Sequence, residues 1–311
     1  MPSIRQIKEL SKSLLHSVFV LGQRIGFDIL PRHFYSEIPN ITTLRACRSW
    51  RQEYSMAGVE GADVDEQLAW VREIVSAECT LRMGQQDIHL AASRDNREAG
   101  YGRIEADFLH CFVSKVKPRR ILQIGCGVST AVCLRAAAEA NYVAQITCIE
   151  PYPTRFLSDA TDRGVIKLER RKLQDADPHL AEEMEDGDFF FVDSSHALGP
   201  AGEVSRVILE WLPRLQKGVY VHFHDIHFPY DYAADVLQRA LFFSHESVLL
   251  HAFLALNSDF RILASLSMLH YKRREQLKHI LPNYAPAEMD EGLIVRQGHF
   301  PSSIYFRRES A

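Results

Sequence analysis

The densest polar chemistry in the sequence lies in the stretch VYVHFHDIHFPYDY, which runs from Val219 to Tyr232. It contains three histidines and two aspartates beside three tyrosines. Histidine titrates near neutral pH and can act as a general base or a metal ligand, and aspartate supplies oxygen ligands for hard cations. The stretch therefore predicts a metal site, a catalytic base or an unusual strand end.

The first half of this stretch predicts a β-strand, and strand geometry separates the three histidines. Side chains alternate between the two faces of a strand. His222 and His224 share a face, but His222 lies two residues inside the sheet, where we expect a hydrogen-bonded core histidine. His224 and Asp225 end the strand, and His227 follows on a loop. At most two of the three histidines can therefore work at a common site.

Downstream of residue 96 the sequence alternates between short apolar strands and helices. Strands are predicted at Arg119–Gly125, Ala144–Glu150, Val165–Arg170, Asp188–His196 and Gly218–Asp225. Such alternation is typical of an α/β fold with a parallel sheet covered by helices. Ligands of these sheets bind at the carboxyl ends of the strands, which directs attention to Gly125, Glu150, Asp193 and Asp225.

Residues 1–95 predict a mainly helical N-terminal extension. Apolar residues recur at helical spacing over Ile4–Ile25 and again over Val64–Leu81. The polar, glycine-bearing segment Ala91–Arg103 is the best candidate for a boundary. We therefore expect two domains, the extension over 1–95 and the α/β domain over 96–311. The extension is expected to cover the active site as a lid or to form the contacts of a homodimer.

The bulk composition excludes some classes of partner. The chain has 311 residues, a formal net charge of -4 and 46% hydrophobic residues, which is ordinary for a globular protein and gives no general attraction to nucleic acid or anionic lipid. Six cysteines without metal-type spacing predict reduced thiols and a cytoplasmic location. The apolar run Leu14–Gly22 is too short to span a bilayer. It predicts a helix packed on the core, with contact to a membrane surface as the alternative.

A glycine-rich turn predicts a nucleoside site at the end of the first strand. In ILQIGCGVST, Gly125 and Gly127 follow the strand and precede a helix, whose first turn offers free amides and the hydroxyls of Ser129 or Thr130. Glu150 ends the next strand, 25 residues beyond Gly125, where its carboxylate can accept hydrogen bonds from both ribose hydroxyls.

The third position of the turn favours one cofactor over another. A dinucleotide site typically has the pattern G-x-G-x-x-G, and Thr130 stands where its third glycine would be. S-adenosylmethionine (SAM) therefore fits the turn better than NAD. An NAD-linked oxidoreductase remains the alternative.

With these motifs the chain resembles the class I SAM-dependent methyltransferases, and in particular bacterial proteins that carry IGCGVST, IEPYP, FVDSSH and HDIHFPYDY. The resemblance covers about residues 96–311, and GFDILPRHFYSEIPN is similar to the N-terminal extension of that group. It implies a Rossmann-like seven-stranded sheet ordered 3-2-1-4-5-7-6, with strand 7 antiparallel. The last two strands would come from Phe260–Ser267 and Ser302–Arg308.

The resemblance also implies roles for the cofactor-binding residues. Gly125, Cys126 and Gly127 would wrap the methionine end of SAM, and Glu150 would hold the ribose. The segment Lys172–Asp177, with Gln174 and Asp175, would lie near the adenine. One departure stands out, because many relatives have an acidic residue at the position of Gln123, where it orients the amino group of the cofactor.

Polar residues after strands four and five are the candidates for catalysis. Asp193 would lie beside the methyl group, where it could bind the methionine ammonium through solvent, a metal or a substrate hydroxyl. His196, His224 and His227 are candidate bases. Some methyltransferases of similar architecture bind Mg²⁺ at positions that correspond to Asp193, His224 and Asp225. Histidine in place of an acid shifts the preference toward a transition metal or toward no metal, and we favour a metal-free base.

The sequence therefore predicts a methyltransferase that acts on an oxygen of a small molecule, such as a sugar or natural-product hydroxyl, with nitrogen as the nearest competitor. Candidate bases favour these atoms over a soft thiol. A SAM-binding protein that does not transfer methyl groups stays open as a further alternative. No nucleic-acid partner and no membrane span are expected.

Overall fold

The computed structural model describes residues 4–47, 49–232, 242–285 and 301–310. Over these residues the chain forms an α/β structure around one mixed sheet. The strands are β1 Arg120–Ile124, β2 Gln145–Ile149, β3 Ile166–Glu169, β4 Phe189–Val192, β5 Tyr220–Phe223, β6 Phe260–Ser265 and β7 Ile304–Arg308.

The sheet has the predicted topology. Its seven strands lie in the order β3-β2-β1-β4-β5-β7-β6. The strands from β3 to β5 pair in parallel, and β7 pairs antiparallel with both β5 and β6. The predicted fold class is therefore confirmed, including the antiparallel seventh strand. The carboxyl ends of β1, β2, β4 and β5 lie along one edge of the sheet, because these strands run in the same direction.

Helices precede the sheet and alternate with its strands. They are α1 Ile4–Arg24, α2 Ile41–Ala46, α3 Val64–Ile74, α4 Ala77–Gln85, α5 Ile88–Asn96, α6 Arg103–Val116, α7 Val128–Glu139, α8 Arg155–Asp162, α9 His179–Glu182, α10 Glu203–Arg206, α11 Glu246–Leu254, α12 Leu266–Lys272 and α13 Arg274–Ile280. The single helix predicted over Val64–Leu81 is wrong. Two helices, α3 and α4, form there instead. Ser76 caps the beginning of α4, since its side chain accepts a hydrogen bond from Cys79 N at 3.2 Å.

The central strand β4 explains why the core has two layers. Phe189 and Phe191 pack on one face of the sheet with α6 and α7, while Phe190 and Val192 pack on the other. All four side chains are buried, as expected for a strand covered on both faces. This apolar strand carries the polar residues that follow it to the edge of the sheet.

The chain divides into two compact units, Met1–Cys47 and Arg48–Ala311. Residues 49–96 thus belong to the same unit as the sheet, and the packing boundary differs from the predicted domain boundary at residue 95. All six cysteines are free thiols. Among the described helices none has both the length and the apolar character needed to cross a bilayer.

Candidate functional site

A cavity of about 560 Å³ lies at the carboxyl ends of β1 and β2. Gly125, Glu150, Gln174 and Asp193 line it, and so does the chain from Ala197 to Glu203. The size is typical of a small-molecule or cofactor site. Four residues predicted to bind the cofactor are therefore brought together around one space.

Gly125 permits the close approach of the first and fourth strand ends. Its φ is +76°, and a Cβ placed there would lie 1.7 Å from the carbonyl oxygen of Asp193. Only glycine fits both the left-handed backbone and this contact. The turn therefore holds Asp193 against the floor of the cavity.

Glu150 is fixed in place by backbone amides. Its Oε1 accepts a hydrogen bond from Tyr152 N at 2.8 Å, and its Oε2 accepts one from Cys126 N at 3.3 Å. The carboxylate thus faces the cavity in one orientation, as a ribose-binding group requires.

Gln123 and Thr130 organise the turn from within. Gln123 is fully buried, and its Oε1 accepts a hydrogen bond from Thr130 Oγ1 at 2.8 Å. The same hydroxyl accepts one from Gly127 N at 3.2 Å. Gln123 therefore braces the glycine turn. Ser129 is buried as well.

Several predicted cofactor residues lie outside the lining of the cavity. These are Cys126, Gly127, Ser129, Thr130 and Asp175. A residue that the sequence did not suggest is Asn96, which is buried beside the turn. A Cβ on Gly127 would lie 3.2 Å from its Nδ2, and its Oδ1 accepts a hydrogen bond from Thr154 at 2.9 Å. Asn96 thus links the turn to the loop after β2.

Histidines and carboxylates cluster where β4 and β5 end. His224 Nδ1 lies 3.2 Å from Asp193 Oδ1 and 3.6 Å from Asp225 Oδ1. His196 Nε2 lies 3.4 Å from Asp225 Oδ2 and 3.8 Å from Asp193 Oδ1. The structure therefore joins the four predicted residues into one cluster, and Asp193 belongs to both the cluster and the cavity.

Two buried glutamates complete the cluster, and sequence reasoning missed both. Glu246, in the first turn of α11, accepts a hydrogen bond at 2.5 Å from His196 Nδ1. Glu105, on α6, lies 3.4 Å from His224 Nε2 and accepts hydrogen bonds from Ser302 N and Oγ. Glu105 could have been suspected, because it is a charged residue among the buried residues of α6. An acid in a first helical turn is ordinary, so Glu246 gave no such signal.

The carboxylates control the charge of both imidazoles. Burial alone would lower the pKa of His196, but the hydrogen bond to Glu246 and the charges of Asp225 and Asp193 outweigh it and raise the pKa to about 9. For His224, burial is likewise outweighed by Asp225 and Asp193, and the pKa lies well above its ordinary value. Both side chains therefore carry a proton at neutral pH before any ligand binds.

Two residues of the cluster have left-handed backbones. The φ of His196 is +59° and that of Asp225 is +57°. Such conformations cost non-glycine residues about 1 kcal/mol or more and persist where the surroundings fix them. Asp225 is fixed by Ser302 Oγ, which donates a hydrogen bond to its Oδ1 at 3.0 Å. Although burial favours its neutral form, nearby His224 and His196 hold the pKa of Asp225 well below its usual range.

A metal could be held by a set that differs from the predicted one. Asp193, His196 and His224 each offer a ligand atom, and these atoms all lie within 4.8 Å of one another. This set contains His196, whereas the predicted set contains Asp225. Two nitrogens and one oxygen suit a transition metal better than Mg²⁺.

The other two histidines of the opening stretch do not belong to this set of three possible ligands. His222 is fully buried, stacks on Phe191 at 4.3 Å, and lies 3.1 Å from Tyr101 Oη and 3.0 Å from Ser303 Oγ. The prediction of a hydrogen-bonded core histidine is confirmed. Burial holds its pKa well below the ordinary value, so it is neutral. The backbone of His227 donates to Ser247 Oγ at 3.3 Å, which ties the loop to α11.

The end of the opening stretch forms a corner. Phe228 and Pro229 are joined by a cis peptide bond, and Pro229 O accepts a hydrogen bond from Tyr54 N at 2.8 Å. Tyr54 Oη donates to Asp231 at 2.8 Å. This segment connects the strand end to residues before α3. The ring of Phe242 meets that of His196 edge to face at 5.9 Å.

A family comparison matches the part of the chain that carries the fold and the site. Residues 122–226, from β1 to just after β5, match a family model described as a methyltransferase domain. The match falls within the residues for which the motifs predicted a class I SAM-dependent methyltransferase domain, and the sheet order is the predicted one.

Comparisons with individual proteins found more distant similarities. An uncharacterized protein from Archaeoglobus fulgidus is 26% identical over 197 residues, which are 60% of this chain and 85% of that protein. Among solved structures, the O-methyltransferase TomG from Streptomyces achromogenes is 15% identical, with a TM-score of 0.44 over 73% of this chain and 91% of its own. The Podospora anserina methyltransferase PaMTH1 is 14% identical, with a TM-score of 0.40 over 91% of this chain and 99% of its own.

Proposed function

We propose that the protein transfers the methyl group of SAM to an oxygen of a small molecule, with nitrogen as the alternative acceptor atom. The observation that carries this proposal is the position of Asp193. It lines the cofactor cavity and lies 3.2 Å from His224 in the histidine–carboxylate cluster. A methyl donor in the cavity and an acceptor at the cluster would therefore meet at this residue.

The cavity offers polar groups that suit the parts of SAM. Gly125 lets the end of β1 approach Asp193 closely, and Glu150 presents a fixed carboxylate for the ribose hydroxyls. Lys172, Leu173 and Gln174 also line the cavity, and we place the adenine beside them. When bound, SAM supplies an electrophilic methyl group on a cationic sulfonium.

The chain must align the acceptor and remove its proton. We propose that His196 removes the proton of the acceptor. Glu246 holds its Nδ1, which leaves Nε2 directed at Asp225 and Asp193 in the cluster. An acceptor hydroxyl that donates a hydrogen bond to Nε2 would be oriented and deprotonated by the same group. His224 is held by Asp193 and Glu105 and is the second candidate base, and His227 the third.

A cation placed beside the cluster would favour loss of the imidazole proton. The carboxylates raise the pKa of His196 to about 9, which makes it a strong base that is mostly protonated at neutral pH. A positive sulfonium nearby lowers such a pKa, because like charges repel. The negative cluster and the cationic cofactor thus complement each other electrostatically.

We favour a base that works without a metal, although Asp193, His196 and His224 could hold one. Metal binding would have to displace the protons that the carboxylates keep on both imidazoles.

The acceptor class that fits best is a hydroxyl of a sugar or natural product. We assign methyl transfer to residues 96–311 and regard 1–95 as an extension that serves as a lid or in dimer contacts. A cytoplasmic location fits the six free thiols.

Calorimetry on a Glu150 variant tests the assignment. Glu150→Ala should abolish SAM binding, while Glu169→Ala, at the end of neighbouring β3, should leave the affinity unchanged. Undiminished affinity in Glu150→Ala would disprove the ribose site. Thermal shifts with SAM and with NAD separate a methyltransferase from the alternative oxidoreductase. Transfer of labelled methyl groups to compounds in a cell extract separates it from a SAM-binding protein without this activity.

A further inference from the structure

The N-terminal unit exposes an apolar stripe along α1. Leu14, Leu15, Val18 and Leu21 lie on one side of the helix, and Ile25 follows directly after its last residue. They are exposed by 67%, 44%, 38%, 60% and 65% in that order. Single exposed apolar residues are ordinary, but a continuous stripe of this kind marks an interaction surface.

The segment after α1 extends the same apolar surface. Gly26, with φ +86°, ends the helix, and Phe27 N donates to Gly22 O at 2.8 Å, so the chain folds back. A Cβ on Gly22 would lie 3.2 Å from the side chain of Ile29, which places Ile29 against the helix. Phe27 and Ile29 are themselves exposed by 65% and 49%.

Two aromatic residues add to the surface further along. Phe34 and Tyr35 are exposed by 93% and 82%, and their rings meet edge to face at 5.2 Å. Large aromatic side chains of this kind favour the boundary between water and a membrane. A partner that covers only the helix stripe would leave these rings in water.

The charge of α1 is opposite to that of the whole chain. Its sequence, IRQIKELSKSLLHSVFVLGQR, contains four Lys or Arg residues and one Glu. The chain has a formal net charge of -4. On a helical projection of the sequence, Lys12 and Arg24 lie outside the arc of the apolar stripe. A basic polar face beside an apolar face matches the charge and chemistry of an anionic lipid surface.

We propose that α1 and the segment to Tyr35 bind the surface of an anionic membrane, with the helix lying in the plane of the interface. This goes beyond methyl transfer and does not depend on it. The apolar stripe and the aromatic rings would enter the headgroup region, and the basic residues would meet lipid phosphates. A second copy of this chain is the competing occupant, but charge does not favour it, because two helices with the same positive excess repel.

Sedimentation of the full chain with vesicles tests the proposal. We expect binding to vesicles of phosphatidylcholine with about a third phosphatidylglycerol, little binding to phosphatidylcholine alone, and loss of binding in about 1 M salt, where screening is strong. The double variant Leu14→Glu, Leu21→Glu should bind at least about tenfold more weakly, since each carboxylate resists burial. The matched control is Leu81→Glu on α4, whose leucine is exposed by 63% and which should bind like the wild type.

A charge variant and a solution measurement complete the test. Arg24→Glu keeps every apolar contact and should weaken binding to anionic vesicles about tenfold. Calorimetry with SAM checks that the variants are folded and keeps this test separate from that of the proposed function. Equal vesicle binding by the double variant and the wild type would overturn the proposal. So would a stable dimer, seen by light scattering, that the double variant abolishes while vesicles bind neither protein.

Discussion

The Oε2 atom of Glu246 lies 2.5 Å from Nδ1 of His196, although 50 residues separate the two in sequence. This contact fixes the orientation of the imidazole and turns Nε2 toward Asp225 and Asp193. Glu246 is almost fully buried, so no water replaces it as a partner of His196. It acts through His196 and is a positioning residue.

We expect Glu246→Gln to lower the limiting kcat above the pKa of His196 about a hundredfold, because the amide still fits but no longer stabilises the imidazolium. The affinity for SAM should stay unchanged, since Glu246 does not line the cofactor cavity. Steady-state kinetics and calorimetry measure the two effects. Glu210→Gln, which alters a surface ion pair with Arg214, is the control and should keep full activity. A variant at Glu246 with normal kcat would exclude its positioning role.

The pH profile should identify His196 as the base. Its pKa of about 9 means that the neutral, basic form grows as pH rises. We therefore expect the rate to increase about tenfold per pH unit below the pKa and to level off above it. Glu246→Gln removes a carboxylate that raises the pKa of His196, so the midpoint of the pH–rate profile should move to lower pH. A midpoint that stays the same in both proteins would contradict the assignment.

Chelation tests the preference for a metal-free base. Treatment with EDTA followed by desalting should leave the rate within about twofold, because protons already occupy the imidazoles that a metal would need. Metal analysis of the purified enzyme provides the check on the treatment. Loss of activity that Zn²⁺, Mn²⁺ or Mg²⁺ restores would instead assign Asp193, His196 and His224 to a metal site.

Two glycines with similar backbones separate the effect of φ from that of crowding. Gly164, with φ +67°, has no neighbour within 4 Å of an added Cβ. Gly164→Ala should therefore cost about 1 kcal/mol of unfolding free energy. Gly125→Ala adds a clash with Asp193 O and should cost at least about 3 kcal/mol and abolish SAM binding. Urea unfolding and calorimetry measure both. Equal costs for the two variants would show that the strand ends can move apart.

The buried carboxyl of Asp107 should make stability depend on pH. Burial raises its pKa to about 6, although Asn283 donates a hydrogen bond to it at 2.8 Å. The folded state holds this proton more tightly than the unfolded state, so stability is fully present below the unfolded pKa and falls as pH rises to about 6. Asp107→Asn removes the effect, worth up to about 3 kcal/mol.

Urea unfolding of the wild type and Asp107→Asn at pH 4 and pH 7 tests this. The difference in stability between the two proteins should shift in favour of the variant as pH rises. Asp162→Asn, at the end of α8, is the matched control for the change of an aspartate to asparagine. If the difference in unfolding free energy between Asp107→Asn and the wild type were the same at both pH values, burial would not raise the pKa of Asp107.

The fold could be predicted because its signals are local. A strand such as β4, with three consecutive phenylalanines buried on both faces, is apolar throughout, and Gly125 marks the turn that follows β1. The same alternation placed Asp193, His224 and Asp225 at one edge of the sheet. Motifs also gave the antiparallel order of β7, which periodicity alone does not determine.

The rest of the site depends on contacts between distant parts of the chain. Glu246 and Glu105 reach the cluster from helices, and no spacing in the sequence links either to His196 or His224. Sequence patterns show which residues share an element, but not which side chains from different elements meet. For the same reason the sequence predicts a cofactor-binding role for Thr130 but does not show that its hydroxyl donates a hydrogen bond to Gln123.

The position of β7 in the sheet affects the order in which the strands can pair during synthesis. Synthesis proceeds from the N-terminus, yet this final strand lies between β5 and β6. The residues just before it, Ser302 and Ser303, contact Glu105, Asp225 and His222. The contacts that hold Glu105, Asp225 and His222 from this side can therefore form only after the two serines before β7 have been made.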